Sequence, residues 1–353
     1  MTRTSAPTDD HALPRESKPD TSKHSMDSKR LRILFFSHYF PPEGNAPATR
    51  TYEHCVRWAQ EGADVTVVTC NPNCPCGVVY PGYKNRLRSQ VEFMDGIRVV
   101  RIWTYLASNA GVARRILNYL SYMFVACIAS IRIHRPDIVI ATSPQFFCGW
   151  AGLLVSKYKR VPFVLEIRDI WPESISAVGA IKNRWLIRLL EHFEKKMYCA
   201  DKHIVTDGNG YRDNILSKVN LQDRISVITN GVDLARYVPE MASNRFLKNW
   251  NLEGKFVCSY VGTIGMAHGL EVTLEAAEKL KQMGRRDIVF CLIGDGASRK
   301  KLENHVAQAG LSNWIVFTGR QPKEAMPRIL ASSNVCLIHL KKCDLFASVI
   351  PSK

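Results

Sequence analysis

The chain has 353 residues, 46% of them hydrophobic, with 48 Lys and Arg against 32 Asp and Glu, a formal charge of +16. That length holds two ordinary domains, and the basic balance implies anionic partners: nucleic acid, an anionic membrane surface or phosphorylated substrates. An RNA-binding aromatic signature, zinc-finger spacing and a long basic helix are all lacking, which sets nucleic acid aside.

Residues 1–30 are rich in Ser, Thr, Asp, Lys and Pro and read as a disordered tail. They carry no apolar core of a secretory leader, so a cytoplasmic location is expected. Leu31 to Ser37 form the first strand, followed by the loop His38-Tyr39-Phe40-Pro41-Pro42-Glu43-Gly44. Helical periodicity from about Ala48 to Gln60 and a strand at Asp64 to Thr69 complete a βαβ unit, which implies a parallel sheet. The loop of that unit is where a phosphate or sugar would be met, with Arg50 near the helix start. It lacks the three spaced glycines of a dinucleotide site.

The 11 cysteines are odd in number and scattered, which fits reduced, mostly buried thiols. Cys70, Cys74 and Cys76 cluster without a fourth ligand nearby, so no metal is expected. Residues 71–90 form a long loop, and 91–103 a strand pair turning at Asp95-Gly96. Ile116 to Ile133 is nearly uncharged, at the lower edge of spanning length, and reads as a buried or interfacial helix.

After the strand Ile138 to Ala141 and a helix from about Phe146 to Lys157, Val161 to Leu165 read as a strand buried on both faces. Glu166, Arg168 and Asp169 then gather where it ends, ahead of Trp171-Pro172-Glu173, and ligands bind at such carboxyl ends. The plainer alternative is that Arg168 pairs with Glu166 or Asp169 and Trp171 packs a loop. Trp185 to Tyr198 form a basic amphipathic helix, either a solvated face or a membrane-facing one. Further strands are expected at Lys202 to Thr206 and Ile225 to Ile228, with a polar connector at 234–254.

The pattern then restarts. A strand at Phe256 to Val261, the small-residue loop Gly262 to Gly269 and a helix from Leu270 to Gln282 form a second unit able to hold phosphates on backbone amides. Strands at Ile288 to Ile293 and Ile315 to Thr318 also end in glycine, at Gly294-Asp295-Gly296 and Gly319-Arg320, which suits close approach of a nucleotide. Val335 to Ile338 is a fourth strand, and the last residues are Pro351-Ser352-Lys353.

Taken together, His38 to Glu43, Arg168-Asp169-Ile170-Trp171-Pro172-Glu173, Thr229-Asn230-Gly231-Val232-Asp233, Gly262 to Gly269, Gly294 to Gly296 and Pro351 to Lys353 resemble family 4 glycosyltransferases. The branch they resemble includes fucosamine-type transferases of O-antigen and capsule assembly and colanic acid transferases. The resemblance implies an α/β chain of GT-B architecture, with two facing Rossmann-like doubly wound domains: an acceptor domain at 31–233 and a donor domain at 255–353. It also implies transfer of a sugar, such as an N-acetylated amino-deoxysugar, from a nucleotide-sugar with retention, without metal or other cofactor.

On that resemblance Asp169 is the acidic residue at the reacting centre, Glu173 the second choice, and Arg168 positions Asp169 or a phosphate. Tyr39, Glu43, Gly44 and Arg50 fall on the acceptor side. Gly262, Thr263, Gly265, His268, Gly294, Gly296, Arg320 and Lys353 fall on the donor side. The family's Arg and Lys in the loop after the first donor-domain strand are replaced by Thr263 and His268. Its sequence also continues past Pro-Ser-Lys with a ribose-binding glutamate, two strands and a helix, so the second domain is read here as incomplete. The expected partners are a UDP-sugar before a GDP-sugar, a lipid-linked saccharide acceptor of polysaccharide synthesis, and the inner face of the cytoplasmic membrane. Two alternatives stand beside this reading: a non-catalytic fragment that binds acceptor or membrane, and a nucleotide-sugar 2-epimerase.

Overall fold

The computed structural model describes residues 30–74, 76–107, 112–143, 145–177, 183–200, 202–238, 242–343 and Phe346. By internal contacts Leu31–Lys353 is one unit and Met1–Arg30 another, and of the latter only Arg30 is described.

The first half runs β1 (Arg32–Phe36), α1 (Ala46–Gln60), β2 (Asp64–Cys70), β3 (Gln90–Met94), β4 (Ile97–Ile102), α2 (Val112–Ile131), β5 (Ile138–Thr142) and α3 (Phe146–Lys159). It continues through β6 (Phe163–Ile167), α4 (Glu173–Ala177), α5 (Arg184–Ala200), β7 (His203–Thr206), α6 (Asn209–Lys218) and β8 (Ile225–Val227). These strands form an eight-stranded sheet in the order β3-β4-β2-β1-β5-β6-β7-β8, parallel except for the β3-β4 hairpin. Strand alternation sorts its two faces. Leu34, Phe36, Leu165 and Ile167 pack under α2, α3, α5 and α6, whereas Ile33, Phe35, Val65 and Val67 pack under α1.

The second half holds α7 (Asn244–Asn249), β9 (Phe256–Val261), α8 (Glu271–Gln282), β10 (Ile288–Ile293), α9 (Arg299–Gln308), β11 (Ile315–Gly319), α10 (Met326–Ala331) and β12 (Val335–Cys336). Its parallel sheet has the order β11-β10-β9-β12. The chain is therefore α/β with two largely parallel sheets.

Four local expectations change. Strand β6 begins two residues later than expected, because the Val161 amide closes α3 on the Ser156 carbonyl at 3.0 Å and Pro162 has no N–H to give a ladder. Glu166 is thereby inside the strand, opposite Thr142. The stretch read as a polar connector contains α7, which Ser243 caps and which buries Phe246 beside Leu252, Val289 and Ile329. Helices α9 and α10 form where the sequence reading assigns none, and the fourth strand shortens to two exposed residues. Among the described residues no helix is long and apolar enough to cross a membrane.

Candidate active site

Carboxyl edges of β5, β6, β7 and β8 lie side by side, and the residues that follow each strand converge. Ser143, after β5, accepts from the amides of Arg168 at 2.6 Å and Asp169 at 3.2 Å, which fixes how the chain leaves β6. The Arg168 guanidinium then folds back. Its Nη2 lies 3.2 Å from Glu166 Oε1, and its Nη1 donates to the Ile228 carbonyl and to Asn230 Oδ1, both at 3.4 Å. Asn230 Nδ2 in turn donates to Asp207 Oδ2 at 3.4 Å. A polar chain thus ties the ends of β6, β7 and β8 together.

Helix α1 supplies the opposite wall. Asn45 caps it by accepting from the Ala48 amide at 2.9 Å, which sets the helix over the sheet edge. His54 Nδ1 then lies 3.5 Å from Glu166 Oε1. Burial alone would raise the Glu166 carboxyl, but His54, Arg168 and Arg50 more than offset it and hold it at about 2. Burial and the neighbouring Arg168 charge bring Arg50 down to about 10, against the attraction of Glu166, Asp207 and Tyr211. Arg50 Nε and Nη2 and Arg168 Nε are buried and meet no protein acceptor.

Asp169 is half-buried at this edge. Burial pushes its carboxyl up to about 6, aided by the charge of Asp207 and opposed by the Ser174 hydroxyl and the Ile170 amide. Asp207 is also raised by burial, with Arg168 and Arg50 pulling the other way. Of these two neighbouring carboxyls only Asp207 feels the two guanidinium groups, a difference of environment that can hold Asp169 partly protonated near neutral pH. Glu173 is turned elsewhere: Lys218 Nζ lies 2.7 Å from its Oε1 and Asn214 donates to its Oε2 at 2.9 Å.

An aromatic wall continues from the cluster. Trp171 stacks on Phe146 at 5.9 Å and meets Tyr119 edge-on at 6.5 Å. His38 is enclosed by Tyr39, Tyr119 and Tyr122 at 4.8, 5.3 and 5.1 Å. Burial lowers the His38 imidazole to about 3, so it is neutral at physiological pH. Burial and neighbouring Tyr119 raise the Tyr39 phenol well above its ordinary value. Glu43 does not open on a mouth: it is buried, and its Oε1 accepts from the amides of Asn73 and Cys74, both at 2.8 Å. Gly44 is exposed beside it.

On the second sheet, Gly262 donates to the Ile293 carbonyl and Gly294 to the Gly319 carbonyl, both at 2.9 Å. A Cβ at Gly294 would lie 1.9 Å from Gly262 O, and one at Gly296 would lie 2.4 Å from Ile264 O. Only glycine lets these strand ends close on each other. Thr263 is exposed and Gly265 opens a 3₁₀ turn, Met266–His268. His339 Nδ1 meets the His268 carbonyl at 2.6 Å, and the His268 ring leans on Tyr260 at 5.8 Å. Arg320 is exposed after β11. Lys353 lies outside the described residues.

The structure adds cations that the sequence reading missed. Arg299 starts α9 beside Gly319 and pairs with Glu303 at 2.7 Å. Lys323 follows β11 and crosses to α1, 3.2 Å from Thr49 Oγ1 and 3.7 Å from Glu53 Oε1. Lys341 packs its side chain against the position of Gly269. Among the described residues no group of His, Cys, Asp and Glu is arranged to hold a metal ion.

Residues 45–231 match the family model described as the glycosyl transferase 4-like domain, and residues 243–349 match glycosyl transferases group 1. The chain belongs to the family 4 glycosyltransferases. It is 25% identical over 333 residues to a putative colanic acid biosynthesis glycosyl transferase of Escherichia coli K12, covering 92% of this chain and 80% of that protein. Among solved structures it is similar to the sucrose-phosphate synthase of Thermosynechococcus elongatus, with TM-score 0.66 and 16% identity, over 88% of this chain and 75% of that one. It also resembles an Anabaena protein crystallised with UDP and glucose, with TM-score 0.58 and 14% identity, over 87% and 73%. This glycosyltransferase thus has the GT-B fold. The stretch 168–173 holds both the half-buried Asp169 and Glu173, which Lys218 and Asn214 tie to α6.

Proposed function

We propose that this glycosyltransferase moves a sugar, with retention, from a nucleotide-sugar to a lipid-linked saccharide in bacterial surface polysaccharide synthesis, at the inner face of the cytoplasmic membrane. Residues 31–233 hold the acceptor and residues 255–353 the donor. The similarity to a colanic acid transferase supports the pathway class, and the UDP complex of a fold relative favours a UDP-sugar over a GDP-sugar. The observation that carries the reading is Asp169, a carboxyl held at about 6 at the edge of β6 beside Arg168 and Asp207.

In this mechanism the Asp169 carboxylate accepts a hydrogen bond from the attacking hydroxyl, and as negative charge passes to the leaving diphosphate it steadies positive charge on the sugar ring. Arg168 and Arg50 keep the neighbouring Glu166 and Asp207 charged, and Glu173 anchors α4 to α6. The diphosphate is met by the amides of Thr263 and Gly265 and by Arg299, Arg320 and Lys323, with Gly294 and Gly296 admitting the nucleotide. Titration of the protein with UDP and with GDP, followed by transfer to a polyprenyl-diphosphate saccharide, tests the reading. Failure to bind either nucleotide, or release of epimerised nucleotide-sugar without acceptor, contradicts it.

A further inference from the structure

Helices α2, α3 and α5 cover one face of the first sheet, with α3 packed against both α2 and α5, and their inner residues Tyr122, Ala126, Leu153, Met197 and Tyr198 form part of its core. Their outer faces are also apolar. On α2 the exposed positions include Leu117, Phe124, Ile128 (65% exposed) and Ile131, a helical stripe of spacing seven, four and three with no charge inside it. On α3 they are Leu154 and Tyr158. On α5 Trp185 (79% exposed), Leu189 and Phe193 recur every four residues, and Trp150 of α3 meets Phe193 edge-on at 5.7 Å. A helix apolar on its inner and outer faces is built for an apolar environment on both sides.

The charge pattern says which environment. Helix α5 carries Arg184, Arg188, Lys195 and Lys196 against Glu191 and the buried Glu194, which Lys218 holds at 2.8 Å. Helices α2 and α3 add four basic residues and no acidic one. Arg188 lies over the Trp185 ring at 5.9 Å and Lys159 over the Tyr158 ring at 5.9 Å, so cationic and aromatic groups share the surface. A second copy of this face would oppose like charge to like, whereas an anionic bilayer satisfies both the apolar stripes and their basic flanks.

We infer that the outer face of α2, α3 and α5 is a membrane-docking surface that seats these helices in the headgroup region of an anionic bilayer, lying in it and not crossing it. The helices start at the carboxyl edge that holds Asp169, since each returns the chain from that edge to the next parallel strand. Docking therefore brings the rim of the site to the lipid surface. The inference rests on the proposed lipid-linked acceptor for its purpose, while the surface itself follows from the exposed side chains.

The test is flotation of the full chain with phosphatidylcholine vesicles, with and without phosphatidylglycerol, in the absence of any sugar donor. Wild type is expected to float only with the anionic vesicles. The pairs Phe124→Ser with Ile128→Ser, Trp185→Ser with Leu189→Ser, and Arg188→Glu with Lys196→Glu are each expected to cut binding about tenfold or more at unchanged circular dichroism. Transfer to a soluble short-chain acceptor is expected to stay at the wild-type rate. Failure of wild type to bind anionic vesicles, variants that bind as wild type does, or a dimer in solution that the apolar pairs split would each overturn the inference. Loss of transfer with vesicle binding intact would count against the acceptor reading and leave the surface standing.

Discussion

Lys323 Nζ lies 3.2 Å from Thr49 Oγ1, so the segment after the last long strand of the second sheet reaches the first turns of α1, one position before Arg50. This contact joins the carboxyl edges of the two sheets. Arg320 acts in the same direction, since its charge is felt by Tyr80 of the first half. Because Lys323 and Glu53 are both partly exposed, the ion pair adds little stability, about 0–1 kcal/mol. Lys323→Ala is therefore expected to leave the melting temperature nearly unchanged while kcat/KM falls about tenfold, through poorer closure on the donor. Steady-state kinetics beside a thermal melt checks this.

Glu166 gives a pH signature. Its folded value of about 2 lies below the ordinary 4.5, so its contribution is complete above pH about 4.5 and is lost as pH falls towards 2. The depression corresponds to about 3 kcal/mol. Glu166→Gln is expected to cost a similar amount at neutral pH, because Arg168 and Arg50 lose their buried counter-charge. It should also flatten the acid limb of the stability curve, which urea denaturation at several pH values measures. A variant as stable as wild type would show that the Arg168 contact is dispensable.

Gly294→Ala puts a methyl group where Gly262 O already stands, at a φ of +139°. The strand ends β9 and β10 must separate, at about 2–4 kcal/mol, and nucleotide binding is expected to vanish with the altered loop. Calorimetric titration with UDP reads the second effect, and unfolding the first.

Much of this was visible in the chain because its signals are local. Short apolar runs ending in glycine at Gly262, Gly294 and Gly319 marked the strands of the second sheet, and the βαβ periodicity from Leu31 to Thr69 marked the first. What was hidden depends on distance. Arg50 stands 116 residues before Glu166 in the sequence, and only the winding of the sheet brings its guanidinium over that carboxylate. Lys323, after Pro322, reads as a solvated residue until α1 is placed beside it. Helix α9 escaped because it buries only Leu302 and Val306, too few apolar positions for a periodic signal. The two-residue shift of β6 was legible in Pro162, which cannot donate to a ladder, but the apolar run outweighed it.

The most direct measurement is the turnover of Asp169→Asn beside wild type, with a UDP-sugar and a lipid-linked acceptor, as a function of pH. Wild-type kcat/KM is expected to fall below pH about 6, where the carboxyl protonates, and the variant to lose about 10²- to 10⁴-fold without that limb. The raised Asp169 value also means that its charge opposes folding as pH climbs from about 3.8 to 6, so the variant should be more stable at neutral pH by about 1–3 kcal/mol. A folded, more stable and nearly inactive variant is the predicted result. Normal turnover by properly folded Asp169→Asn would contradict the account.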